Sequence, residues 1–191
     1  MKAFILLLMC CLAFSLAAQE KRESERRISP DEMPQTAMKA MEAFIPKWRK
    51  LRYFQETDGT RTSYEAKFLY RGRRFSVEFS TTGILEDIEI TQKYTYMPES
   101  VRDSLESYLA SKFKSFDIIK CQQQYRHEGA SPYNTLDQVL SEKWEGPVFY
   151  ELEIDVLKEK SWYSEEYLFD QKGRFLSKRR IINRAQDNLL Y

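Results

Sequence analysis

Few residues in this chain can do chemistry, and their spacing narrows the field further. His127 is the single histidine, and it closes the stretch "CQQQYRH" that Cys121 opens. A cysteine beside a histidine can supply an activated thiolate. Cys121, however, lies in "DIIKCQQQY", which reads as a strand, while His127 begins a long insertion. A structural cysteine and a surface histidine are therefore expected, with no catalytic residue and no enzyme. No H-x-x-x-H or C-x-x-C spacing occurs, so no metal centre is predicted. The acidic runs Glu86-Asp87-Glu89 and Glu165-Glu166 read as a solvated face. Neighbouring strand residues point to opposite sides, so Glu165 and Glu166 do not converge. Counting back from Phe169 nevertheless places Glu165 on the core side, and a bulge near Ser164 would relieve this. The six glycines are spread among turns and form no phosphate-binding loop, so no cofactor is expected.

What remains is binding chemistry. Tyr133 and Trp144 lie in the insertion and Trp162 sits at a turn; these aromatic types supply the anchors of protein interfaces. They are the expected contacts for a protein or peptide partner. Arg73 and Arg74 in "RGRR" and Arg179 and Arg180 in "SKRR" lie beside aromatics and are the expected contacts for an envelope polymer. A formal net charge of +1 argues against nucleic acid, which demands a concentrated basic face.

The elements that must position these residues can be read from period and punctuation. Pro34 opens a helical segment with Ala37, Met41, Phe44, Ile45 and Trp48 on one stripe, kinked or ended at Pro46. Pro98 opens a second, with Val101, Leu105, Tyr108, Leu109 and Phe113. After the first come four strands, punctuated by Asp58-Gly59, Arg71-Gly72 and Gly83. Tyr64, Ala66, Phe68 and Tyr70 alternate with polar positions, as do Phe75, Val77 and Phe79, giving one packed and one wet face. "YELEIDV" and "YSEEYLFDQKGRFLSKRRI" follow the second helix in the same manner, and "FSTTG" and "FDQKG" occupy matching places. The predicted fold is α+β: a tandem repeat of a helix followed by a four-stranded antiparallel sheet, with the helices packed on one sheet face. Repeat one spans 33–96 and repeat two spans 97–191. The second carries the insertion 126–147, where Leu136, Val139, Leu140 and Trp144 suit a covering helix.

The ends of the chain give the compartment. Lys2 precedes "AFILLLMCCLAFSLAA", an apolar run ending in small residues, which is the pattern of a secretory signal peptide over 1–18. The run falls short of the ~20 residues that span a bilayer, so no membrane insertion is expected once it is cleaved. Export to the periplasm or the medium follows. Cys10 and Cys11 leave with the signal, so the mature chain keeps only Cys121 and must be held by packing alone. Residues 19–32, "QEKRESERRISPDE", carry dense mixed charge and a single apolar side chain, and read as a flexible leader.

The paired motifs "YEAKF" with "FSTTG" and "YELEI" with "FDQKG" resemble the PepSY-like family of small exported bacterial proteins. The resemblance covers about residues 33–182. Ser80 stands where that family shows aspartate, which weakens the first copy. The tandem arrangement is also similar to the beta-lactamase inhibitory proteins and, more distantly, to the inhibitory propeptides of secreted zinc peptidases. These resemblances imply a non-enzymatic module that binds or inhibits a protein or peptide; the alternative is a binder of a small ligand or envelope polymer. Fold alone transfers no target, and the oligomeric state is not legible.

Overall fold

Nine strands follow one another in chain order around a single closed sheet. The computed structural model describes residues 19–129 and 131–183; the expected signal peptide lies outside them. The strands are β1 (Gln19–Ile28), β2 (Arg49–Asp58), β3 (Arg61–Tyr70), β4 (Arg73–Ser80), β5 (Leu85–Thr91), β6 (Phe116–Arg126), β7 (Phe149–Lys158), β8 (Ser161–Phe169) and β9 (Phe175–Asn183). Three helices, α1 (Gln35–Met41), α2 (Glu99–Lys112) and α3 (Pro132–Leu140), lie between them. Every neighbouring pair is antiparallel except β1 with β9, which run parallel. This corrects the predicted tandem repeat of helix-plus-sheet units. Neither half owns a sheet, because β5 pairs with β6 from Asp87–Arg126 to Thr91–Gln122 and β1 closes the remaining gap. The result is a closed, mixed barrel that is mostly strand.

The predicted flexible leader is also corrected. Residues 19–28 form β1, paired with β2 from Glu23–Asp58 to Ile28–Tyr53. Its side chains alternate between the lumen (Lys21, Glu23 and Glu25) and the exposed exterior (Arg22, Ser24 and Arg26). Both sets are polar, so hydropathy shows no contrast between the two faces. The strand is held by backbone pairing and by charge partners such as Lys21 with Glu166.

The apolar face of the sheet is the outer one, and the helices cover it in two places. One cluster gathers Ala37, Met41, Phe44, Trp48, Phe68, Phe75, Val77 and Phe79 with Leu136, Val139 and Leu140 of α3. Trp48, Phe68 and Phe75 stack in sequence, with centroids 3.7 Å and 5.4 Å apart. The second cluster places Val101, Leu105 and Leu109 of α2 on Leu152, Ile154, Tyr167 and Phe169. Each fully buried side chain of this kind contributes on the order of 1.5–3 kcal/mol. The first helix is shorter than its apolar stripe: α1 ends at Met41 and a 3-10 turn carries Ile45–Lys47, because Pro46 cannot donate to a continuing helix.

Two glycines explain the matching "FSTTG" and "FDQKG" turns. Gly83 (φ +78°) and Gly173 (φ +73°) sit in the left-handed region, tight under the first turns of α1 and α2. A Cβ would lie 2.9 Å from the Ala37 nitrogen in one case and 2.6 Å from the Val101 carbonyl oxygen in the other. In the second turn the Asp170 carboxylate accepts from the Lys172 and Arg174 amides, while in the first the Ser80 hydroxyl accepts from the Ile84 amide. Serine thus serves in place of aspartate, with one bond fewer.

Candidate functional site

Inside the barrel the chain keeps its charges. The lumen is a cavity of about 140 Å³, and among the described residues its wall carries ten carboxylates against six cationic groups. Strand alternation puts them there. The face opposite Phe68, Val77 and Ile88 is the one bearing Glu65, Glu78 and Asp87, which stand directly opposite one another across β3, β4 and β5. Glu25 likewise stands opposite Glu56 across β1 and β2. Like charges in such pairs repel, so compensation is required. Lys67 meets both Glu25 and Glu65, the second at 3.0 Å. Lys21 lies 2.7 Å from Glu23 and bonds Glu166, which Arg179 also holds at 2.6 Å. Arg61 reaches Glu78 at 3.2 Å and bonds Glu86.

These partners split the carboxylates into two kinds. Burial raises the Glu23 and Glu166 carboxyls, but Lys21 outweighs it, aided at Glu166 by Arg179, and both end below their usual range. Elsewhere burial wins. It pushes Glu56 up to about 10, with Glu65 and Glu23 adding repulsion, and Glu78 up to about 7 against the pull of Arg61. Asp87 and Glu151 also lie well above their ordinary range, through burial first and then through Glu89. The lumen therefore holds protons at neutral pH. The acidic run Glu86-Asp87-Glu89 was expected on a solvated face; Asp87 and Glu89 instead line this cavity.

A second concavity opens beside the turn between β3 and β4. This groove, of about 1030 Å³, is lined by Arg73, Arg74, Lys93, Tyr96, Tyr125 and Glu142 among others. Arg74 and Thr91 line both groove and lumen, so the two adjoin. Tyr96 is 71% exposed, with the Lys93 ammonium 5.8 Å from its ring centroid. Arg73 donates to Gln123 at 3.2 Å and lies 3.6 Å from Glu142 of the insertion. No signal in the hydropathy pattern distinguishes Tyr96 or Lys93, which is why sequence reasoning passed over them.

The residues predicted from sequence are scattered. Tyr133 starts α3 half exposed (50%), its ring 5.0 Å from Phe44. Trp144 follows the helix instead of belonging to it, partly buried on the outer core, edge-on to Tyr125 at 5.9 Å and donating to the Pro147 carbonyl at 3.1 Å. Gly146 lies so close beneath that ring that a Cβ would come within 2.6 Å of it. Trp144 is accordingly a cover for the core more than an exposed contact. Trp162 is 52% exposed at the start of β8, opposite Leu157. The four arginines form no common patch: Arg73 and Arg74 both line the groove, Arg74 lining the lumen as well, while Arg179 lines the lumen and Arg180 lies 4.5 Å from the Tyr163 ring centroid on the outside. Arg179 is paired with Glu166 and with Asp58 at 2.7 Å.

Cys121 and His127 do not meet. Cys121 is 3% exposed in the second core, and burial pushes its thiol up to about 11. His127 is about 20 Å further along the chain by strand rise, bonded to Thr135 at 2.8 Å, its pKa lowered by burial. Glu165 does share the face of Tyr167 and Phe169, but without the expected bulge near Ser164, since the β7–β8 register is unbroken there. Lys158 at 2.6 Å and the Tyr167 hydroxyl at 2.7 Å satisfy it, and the carboxyl is lowered despite burial.

No protein-family model matches the chain, and no curated protein matches it either; the PepSY-like resemblance thus finds no family match. Solved structures do share the fold. A DUF2874 family protein from Bacteroides uniformis is 13% identical with a TM-score of 0.53, covering 78% of this chain and 89% of its own. A protein from Bacteroides eggerthii described as periplasmic is 17% identical with a TM-score of 0.52, covering 82% of this chain and 94% of its own. A BLIP-like protein from Bacteroides fragilis is 15% identical with a TM-score of 0.50, covering 81% of this chain and 91% of its own. The chain has a BLIP-like fold, and the periplasmic description of one neighbour agrees with the export expected from residues 1–18.

Proposed function

We propose that this protein is an exported, non-enzymatic binding module whose groove beside the β3–β4 turn engages an acidic segment of a protein or peptide partner. The observation that carries this is the groove's lining: among the described residues Arg73, Arg74 and Lys93 stand against one carboxylate, that of Glu142, with Tyr96 exposed at its edge. Its volume lies at the upper end of the range that ligand sites occupy, about 300–1,000 Å³. An exposed tyrosine beside arginine is the composition of an interface anchor. Occupying a partner, as the resemblance to inhibitory proteins implies, requires no catalytic group. The same lining favours a second reading, an anionic envelope polymer, because phosphate or carboxylate repeats would meet the same cations.

The test is fluorescence anisotropy with a labelled glutamate-rich peptide and, separately, a labelled anionic polysaccharide. Saturable peptide binding that weakens at least tenfold in Arg73→Ala/Tyr96→Ala supports the first reading. Polysaccharide binding with the same loss, and none of the peptide, selects the second. Binding indifferent to the double substitution removes the groove from both.

A further inference from the structure

We infer that the lumen holds a divalent cation of the oxygen-preferring class, with calcium as its best fit, between Glu25, Glu56 and Glu65. The three residues come from β1, β2 and β3, and each offers a carboxylate oxygen within 4.8 Å of the other two. Acidic side chains gather on many surfaces without an ion, but this group is interior. The Glu25 side chain is only 4% exposed and its Oε2 atom has no hydrogen-bond partner among the described residues. Its other oxygen is taken by Lys67. The Glu65 Oε2 atom is buried without a hydrogen bond as well and meets only the Lys67 ammonium, at 3.0 Å. A buried carboxylate oxygen with nothing to accept is costly, and a cation placed among the three would supply the missing partner.

Charge and donor type narrow the occupant. Binding a metal would displace the proton that Glu56 holds; the three carboxylates beside the Lys67 ammonium then leave two negative charges, the amount one divalent ion neutralises. All three donors are oxygens, and among the described residues no imidazole or thiolate lines the cavity, a donor set that suits ions preferring oxygen. Three carboxylates fixed on neighbouring strands, all within 4.8 Å of one another, suit calcium, which accepts irregular sets of six to eight oxygens, better than magnesium, which demands a near-ideal octahedron and gives up its waters reluctantly. The cavity of about 140 Å³ leaves room for completing waters but not for a drug-sized ligand, which needs about 300 Å³ or more. Because Glu25 belongs to β1, the ion would fasten the closing strand to β2 and β3. This site is separate from the groove and stands whether or not the groove binds a partner.

The experiment is isothermal titration of Ca²⁺ into the metal-stripped mature protein, with Mg²⁺ titrated in parallel and folding of each variant checked by circular dichroism. One saturable site for Ca²⁺ is expected, weakened at least tenfold in Glu56→Gln and in Glu25→Gln. Glu153→Gln, a lumen residue outside the trio, should bind within twofold of the parent. No saturable Ca²⁺ heat up to about 10 mM, beyond the weakest class of extracellular calcium modules, would overturn the proposal. So would a folded Glu56→Gln protein that titrates like the parent.

Discussion

The two faces of this one sheet solve burial in opposite ways. Outside, beneath α1, α2 and α3, the strands bury phenylalanine, leucine and isoleucine in two clusters. Inside, the same strands bury glutamate, aspartate, lysine and arginine around a small cavity. Apolar burial is favourable wherever it is complete, whereas a buried charge is tolerated only where a partner or a proton compensates it. The outer face therefore makes the fold stable, and the inner face holds its charges only in compensated sets.

The largest way to test that division is to damage each face in turn. Phe68→Ala empties a fully buried site between Trp48 and Phe75, and should cost about 3–5 kcal/mol in denaturant unfolding. Lys21→Met attacks the lumen, removing the ammonium that serves both Glu23 and Glu166. The loss of one partner from a buried ion pair costs about 3–5 kcal/mol; because Glu166 keeps Arg179, the lower end, about 3 kcal/mol, is expected. A lysine substitution that left stability untouched would mean the lumen is wet and open, erasing the contrast.

A smaller effect separates the faces by pH. Glu78 is pushed up to about 7 in the fold, chiefly by burial, against an ordinary value of about 4.3. The folded protein then binds a proton the unfolded chain has lost, so stability falls as pH rises from about 4.5 through 7. Glu56, pushed up to about 10, and Asp87 and Glu151, also raised, push the same way; Glu23 and Glu166 are lowered and take over only below about 4.5. The melting temperature should be higher at pH 5.5 than at pH 8 by about 3 °C per kcal/mol regained. Glu78→Gln should make that slope shallower, and Glu56→Gln shallower still, while substitutions confined to the outer cores should leave it unchanged.

The outer face was legible in sequence because hydropathy alternates there. Phe75, Val77 and Phe79 announce β4, and Arg71-Gly72 and Gly83 announce its neighbouring turns. The inner face was not, since Glu65 and Lys67 look the same whether they meet water or a charged lumen. β1 was the extreme case: Lys21, Glu23 and Glu25 alternate with Arg22, Ser24 and Arg26, polar against polar. Period-two structure without hydropathy contrast reads as a solvated leader, and with β1 overlooked nothing in the sequence suggested closure. The same blindness joined Arg179 with Arg180, although adjacent strand residues face opposite sides.

Everything about the inner face depends on β1 closing the barrel between β2 and β9. Amide hydrogen exchange along residues 23–28 measures this directly. The account predicts protection comparable to that of the paired amides of β2, because the two strands are hydrogen-bonded from Glu23–Asp58 to Ile28–Tyr53. Exchange of residues 23–28 at free-chain rates while β2 to β9 stay protected would contradict it, leaving an open sheet with its charges in water.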